Sequence, residues 1–205
     1  MRIFKGREST GVRGVKLAEG DKVVSMAILR HVEVTVEEAR GYLRQAAAMR
    51  RAAGEETDVA EPQIEEAGDE GTEEAALSPE RYAELGAHEQ FVLTVADLGM
   101  GKRSSAYEYR VTGRGGSGIV AMSLTKKTGR IAASFPSEDS DQLMLITDGG
   151  QTIRLPVASI RVAGRATQGV ILFRLGEGER VVSVERIGEN IESENGNGNG
   201  GPEGH

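Results

Sequence analysis

Residues Gly113–Gly118 read GRGGSG, letter for letter the G-x-G-x-x-G spacing of a dinucleotide-binding loop. Such a loop needs a helix directly behind it, so that the helix N-terminus faces the phosphate. Behind this one stands IVAMSL (119–124), a short apolar run of strand type. The pattern also recurs, as GRESTGV from Gly6 and as GRATQGV from Gly164. Only Gly113 and Gly118 have counterparts in all copies, because Gly115 and Gly116 become Glu8-Ser9 and Ala166-Thr167. GRGGSG is therefore one position of an internal repeat and not a cofactor loop.

The repeat has a measurable period. The second and third copies lie 51 positions apart, an offset that also pairs Asp97 with Asp148, Gly99 with Gly150, Arg103 with Arg154 and Arg110 with Arg161. The first and third copies lie 158 apart, and GVRGVKLAEGDKVVSM from Gly11 aligns without a gap on GVILFRLGEGERVVSV from Gly169. The first two copies are 107 apart, one unit of 51 plus 56 extra residues, close to the length of the stretch Val32–Gln90. Charge marks the same stretch: it holds five Lys/Arg against sixteen Asp/Glu.

Within a unit the pattern is strand and turn. FVLTV, YEYRVT, GIVAMSL, RIAASF, QLMLIT, TIRLPV, GVILFRL and RVVSVERI are short and apolar, and DLGMG, TKKTG, SEDSD and TDGG separate them. About four strands per unit of about fifty residues is the arithmetic of a propeller blade, with a solenoid of strands as the alternative. The expected architecture is all-β and propeller-like: a partial blade at 1–31, an insert at 32–90, two blades at 91–187 and a disordered acidic tail at 188–205. The insert predicts two short helices, one capped by Thr35 with Glu38 three residues on, the other opened by Ser78 and Pro79. Its first helix has an apolar face (Val36, Ala39, Leu43, Ala46) suited to docking on a blade, and arginines Arg40, Arg44, Arg50 and Arg51. Between the helices, 54–76 is acidic and poor in apolar residues, so disorder is expected.

Composition narrows the function. The 205 residues include no cysteine, which excludes disulfides, thiolate metal sites and thiol nucleophiles and fits a reducing cytoplasm. There is no run of eighteen apolar residues and no apolar region behind MRIFKGREST. The net charge of -7 hides an asymmetry. Met1–His31 and Phe91–Ile187 each carry a net +4, whereas Gly188–His205 has four acids and no base. His31, His88 and His205 are too scattered for a metal site, SEDSD (137–141) reads as a polar turn, and Asp97 and Asp148 beside glycines read as turn builders.

RVTGRGGSGIVAMSL, LMLITDGGQTIRLPVASIRVAGRATQGV and GRESTGVRGVKLAEGDKVVSM resemble the C-terminal domain of the DNA gyrase A subunit. The resemblance covers Met1–His31 and Phe91–Ile187 and recurs blade by blade. It implies a β-pinwheel, here two and a half to three blades of a longer protein, that binds and wraps duplex DNA without catalytic residues of its own. It further implies a role in ATP-dependent negative supercoiling, a bacterial cytoplasmic, nucleoid-associated location, and partnership with double-stranded DNA, the rest of the gyrase A subunit, and the gyrase B subunit. No cofactor is expected in this chain; ATP and Mg2+ would serve other parts of that complex. The family's Gln-Arg-Arg-Gly-Gly-Arg-Gly box and its catalytic tyrosine domain have no counterpart here. The alternatives are the related domain of the topoisomerase IV A subunit, or a propeller-type protein-interaction module that does not bind DNA.

With no nucleophile or metal cluster, the residues able to act are cationic. Arg7, Arg114 and Arg165 recur beside the glycine turns, and Arg103, Arg110, Arg154 and Arg161 recur with the 51-residue period. Lys102, Lys126, Lys127 and Arg130 cluster on loops, and Arg13, Lys16, Arg174 and Arg180 fall on or beside strands. Repeated once per blade, such charges would form a basic track that holds phosphates without reading bases. The competing role for a recurring Gly-Arg is a strut, its guanidinium bonded to carbonyls of the next blade. The acidic tail, tethered near such a track, would compete with DNA at high effective concentration.

Overall fold

The computed structural model of the chain describes residue 3, residues 5–54 and residues 77–188. The expected disorder at 54–76 and in the tail falls almost wholly outside these residues.

Two antiparallel sheets carry the repeat. β1 (Phe91–Ala96), β2 (Met100–Ser105), β3 (Ile131–Ser137) and β6 (Val170–Ile171) form one in the order β3-β1-β2-β6. β4 (Gln142–Thr147), β5 (Thr152–Pro156) and β7 (Val181–Ile187) form the other in the order β5-β4-β7. Register repeats along with sequence: Val95 faces Gly101 in the first hairpin, and Ile146 faces Thr152 in the second. The irregularities repeat too, since β1 slips against β3 between Val95 and Ala96, and β4 slips against β7 between Ile146 and Thr147. β6 belongs by sequence to the second unit yet pairs with β2 of the first, so the first sheet is finished by a strand on loan from the next unit.

The glycine that closes each repeat motif explains why the motif exists. Gly11, Gly118 and Gly169 have φ of 74°, 79° and 77°, a left-handed conformation that side-chain-bearing residues avoid. At Gly169 the approach is also close, because an added Cβ would lie 2.5 Å from the Gly101 carbonyl oxygen. Among the described residues no helix follows Gly118, as a phosphate loop would require.

Between the sheets lies one apolar core. Leu93 and Val95 of β1, Leu143 and Leu145 of β4, and Val181 and Val184 of β7 meet Val157 and Ile160 from the 3-10 turn after β5. Phe135, Leu155, Leu172 and Leu175 seal its margins.

Some expected strands did not form. Tyr107–Tyr109 falls at a 3-10 turn (Ala106–Glu108), where Ser105 caps the Tyr107 N–H and Glu108 turns inward. Residues 119–124 and 5–35 likewise contain no strand. The cause is a missing partner and not a missing pattern: Val170–Ile171 is a strand because β2 presents an edge to it. Its equivalents Ile119–Val120 and Val12–Arg13 meet no such edge among the described residues.

The insert contributes α1 (Val36–Ala52) and α2 (Pro79–Ala87). Thr35 Oγ1 accepts the Glu38 N–H and the Glu38 carboxylate accepts the Thr35 N–H, while Ser78 Oγ accepts the Arg81 N–H. Ala39, Tyr42, Leu43 and Ala46 bury against Leu85 of α2. Tyr107 anchors the pair to the first sheet by packing edge-on to Tyr42 and donating to the Leu85 carbonyl at 2.8 Å. Across the helices Arg81 Nε reaches Glu38 at 2.8 Å. No described helix is long and apolar enough to cross a membrane.

Candidate nucleic-acid interface

The structure divides the candidate cations into two groups. Lys102, Arg103 and Arg165 are buried, which corrects their placement on a basic track. Lys102 Nζ donates to the Gly164 carbonyl at 2.5 Å and to the Arg165 carbonyl, with Thr167 Oγ1 at 3.4 Å. These acceptors belong to the GRATQG turn of the next unit, so the lysine pins one unit to the other. Burial lowers its pKa to about 8. Arg165 donates its guanidinium to the Val120 carbonyl and its backbone N–H to the Glu108 carboxylate at 2.6 Å. Burial pushes the Glu108 carboxyl upward, and its Arg165 and Lys102 neighbours hold that rise in check. Arg103 bonds the Ile160 carbonyl at 2.7 Å, pairs with Asp139 and lies 5.6 Å from the Phe91 ring centre. These three act as struts, because a guanidinium or ammonium satisfied by internal oxygens has no reach to a phosphate.

Arg7, Arg13, Lys16, Arg110, Arg114, Lys126, Lys127, Arg130, Arg154 and Arg174 are exposed or half-buried, as is Arg161. Local structure positions several of them. Thr128 Oγ1 accepts the Thr125 N–H at 2.7 Å and Thr125 Oγ1 accepts the Lys127 N–H at 3.2 Å, a hydroxyl-capped turn that carries Lys126 and Lys127. The Lys16 N–H donates to Gly116 O and the Gly115 N–H to Gly14 O, both at 2.8 Å. That pairing sets Arg13 and Lys16 beside the loop of Arg114, so cations from two repeat copies share one surface. A second group, Lys127, Arg174 and Arg180, borders a groove floored by Leu98, Met100 and Ile171. Arg154 is held in place by Gln142, at 2.5 Å. Neither group includes Arg7, Arg110 or Arg130.

The two aspartates that repeat build turns. The Asp97 carboxylate accepts the Arg130 N–H at 2.8 Å, and Asp148 accepts the Arg180 N–H at 2.9 Å. Each fixes the backbone of a cation at the start of the returning strand, Arg130 in one unit and Arg180 in the next. Lys22 holds the same position in the first copy, 158 residues before Arg180. Lys22 is absent from the sequence-derived candidates, although the 158-residue offset from Arg180 marks it. Arg180 also reaches Asp97 at 2.6 Å and so ties neighbouring units together. In SEDSD the acids are engaged locally: Asp141 accepts the Glu138 N–H at 2.8 Å and pairs with Arg186 at 3.3 Å. Among the described residues no group of three or more His, Asp or Glu could hold a metal ion.

A family model described as DNA gyrase C-terminal domain, beta-propeller, matches residues 4–30, 90–138 and 141–187, which together make up more than half of the chain. This chain belongs to that family. The matched segments omit the insert and stop where the acidic tail begins. The DNA gyrase A subunit of Granulibacter bethesdensis is 52% identical over 187 residues, covering 90% of this chain and 20% of the relative. That of Rickettsia felis is 45% identical over 196 residues, covering 95% of this chain and 20% of the relative. The chain thus spans about a fifth of the length of the curated relatives it matches. Among solved structures, a DNA gyrase A C-terminal domain is similar over 48% of this chain and 33% of its own, at 21% identity and a TM-score of 0.46. A C-terminal domain of DNA topoisomerase IV is similar over 48% of this chain and 31% of its own, at 24% identity and a TM-score of 0.45.

Proposed function

We propose that this chain binds duplex DNA through phosphates, as part of a gyrase A subunit that supports ATP-dependent negative supercoiling. The observation that carries the reading is the exposed cation set of the repeat, Arg13, Lys16 and Arg114 on one surface and Lys127 and Arg174 along another. Arginines and lysines on loops and turns make point contacts to a backbone and read no base edges. Bending a short duplex site smoothly by 40–90° costs on the order of 1–6 kcal/mol, so DNA following the curve of successive blades needs several such contacts together. Membership in the gyrase family supports duplex DNA as the polyanion, and the remainder of the A subunit together with the B subunit as the partners. Strand cleavage, ATP and Mg2+ would lie with those other parts, and the working place would be the bacterial cytoplasm at the nucleoid.

A gel-shift titration of random-sequence duplex with the whole chain and with the triple charge reversal Arg114→Glu, Lys127→Glu, Arg174→Glu tests the reading. The parent should bind and the variant should lose at least about tenfold in affinity at equal salt. Equal affinity of the two would assign DNA binding to some other surface.

A further inference from the structure

The insert and the joint between the two units meet at one short turn, Ala106–Glu108. Tyr107 of that turn touches the insert: its ring packs edge-on to Tyr42 of α1 at 5.3 Å, and its hydroxyl donates to Leu85 O of α2 at 2.8 Å. Glu108, the next residue, accepts the Arg165 N–H of the following unit at 2.6 Å. Adjacent residues of one turn thus hold the insert and the neighbouring unit.

A second route runs through Phe91. Arg50 of α1 lies 5.7 Å from the Phe91 ring centre and Arg103 of β2 lies 5.6 Å from it, both within reach of cation–π attraction. Arg103 then bonds Ile160 O at 2.7 Å and pairs with Asp139, both in the following unit. Its backbone crosses the same joint, the N–H donating to Arg161 O at 3.0 Å and the carbonyl accepting the Ala163 N–H at 2.8 Å.

The insert end of both routes is fixed by Glu89. Its side chain is 7% exposed, accepts the Tyr42 hydroxyl at 2.8 Å and holds Arg50 at 3.5 Å. Burial and the Glu89 carboxylate raise the Tyr42 pKa, so the hydroxyl stays a donor.

The repeat separates what the blade needs from what the insert needs. One period on, the same turn forms at Val157–Ser159, and the Val157 N–H donates to Asp141 O at 2.9 Å as the Ala106 N–H does to Gln90 O at 2.8 Å. There Ala158 stands in place of Tyr107 and Gln142 in place of Phe91. The turn therefore closes without either ring, and both rings stand where the insert docks.

We propose that the insert is a brace for the joint between successive units. Docked on Tyr107 and Phe91, it holds Glu108 and Arg103 where they grip the following unit. Tyr42 and Arg50 are its positioning residues and act on the joint through those two rings. A braced joint costs less to order when a duplex bends across both units. That consequence rests on the DNA reading, whereas the brace itself does not.

Amide hydrogen exchange of the whole chain tests the proposal. The reporters are the Arg103, Ala163 and Arg165 amides, which bond across the joint, and the amides of β4 inside the second sheet are the control. Tyr42→Ala removes the ring and hydroxyl at the insert, and Arg50→Met keeps the stem but loses the guanidinium. Each should speed exchange at the reporters at least about fivefold more than at β4. Arg50→Met leaves the packing between α1 and α2 intact and decides the matter where Tyr42→Ala does not fold. Reporters at the parent rate in either folded variant overturn the proposal, because the insert then loosens alone. So do reporters and β4 amides that speed up equally.

Discussion

Arg114 and Arg165 occupy the same position of the same repeat, and the structure gives them opposite surroundings, Arg114 exposed and Arg165 buried. Truncating both to alanine separates the strut at Arg165 from the phosphate contact proposed for Arg114. Arg165 is 3% exposed, its guanidinium bonds the Val120 carbonyl, and Glu108 and Lys102 surround it. Arg165→Ala removes a buried side chain of the length for which truncation costs about 2–5 kcal/mol. It also deprives the buried Glu108 of a neighbouring positive charge, so about 3 kcal/mol of lost stability is expected. Arg114 is exposed on its loop, and removal of an exposed side chain there costs no more than about 0.5 kcal/mol. DNA binding should respond in the reverse order. Arg114→Ala should weaken it and reduce the slope of log affinity against log salt by about 1, the contribution of one phosphate contact. Urea unfolding followed by circular dichroism gives the stabilities, and fluorescence anisotropy of a labelled duplex gives the slopes. Equal destabilisation by the two variants, or an Arg165→Ala chain as stable as the parent, would refute the division into struts and track.

Four further substitutions have outcomes set by other contacts of the structure. Burial lowers the Lys102 pKa from 10.5 to about 8, so between those values the unfolded chain holds the extra proton and stability rises with pH. The full rise is roughly 3 kcal/mol, and Lys102→Met should remove it from the pH profile of urea midpoints. Gly169→Ala forces a Cβ into a left-handed residue 2.5 Å from the Gly101 carbonyl oxygen and should cost about 2 kcal/mol or more. Gly113→Ala meets nothing within 4 Å and should cost a few tenths by the same unfolding assay. Thr35→Ala removes the side-chain half of a capping box and should cost about 1 kcal/mol, read as faster amide exchange in α1.

The fold was legible because the repeat is written in residues that the backbone itself requires. Gly11, Gly118 and Gly169 share one left-handed turn, and Asp97 and Asp148 each close a turn on the next returning strand. Those features survive translation along the chain, so an offset of 51 or 158 finds them. Strand formation was less legible, since it depends on a partner and not on the segment alone. IVAMSL and VVSMAIL are as apolar as β6 and β7, yet they meet no edge and form no strand. The candidate site was legible only as a pool of cations. Sequence could not separate Arg165 from Arg114, because the difference lies in what Glu108 and Val120 of the preceding unit place over one of them. Lys102 reads as a loop lysine until its strand turns it under the next unit's glycine turn. Lys22 was within reach, since the 158-residue offset pairs it with Arg180.

The central claim is that the exposed cations of this repeat hold DNA by its phosphates. The most direct measurement is the affinity of the whole chain for random-sequence duplex at several salt concentrations. Log affinity should fall linearly with log salt, by about 0.9 for each phosphate engaged, and about four to six contacts give a slope of about -4 to -5. No binding at low salt, or binding that salt leaves unchanged, would contradict it.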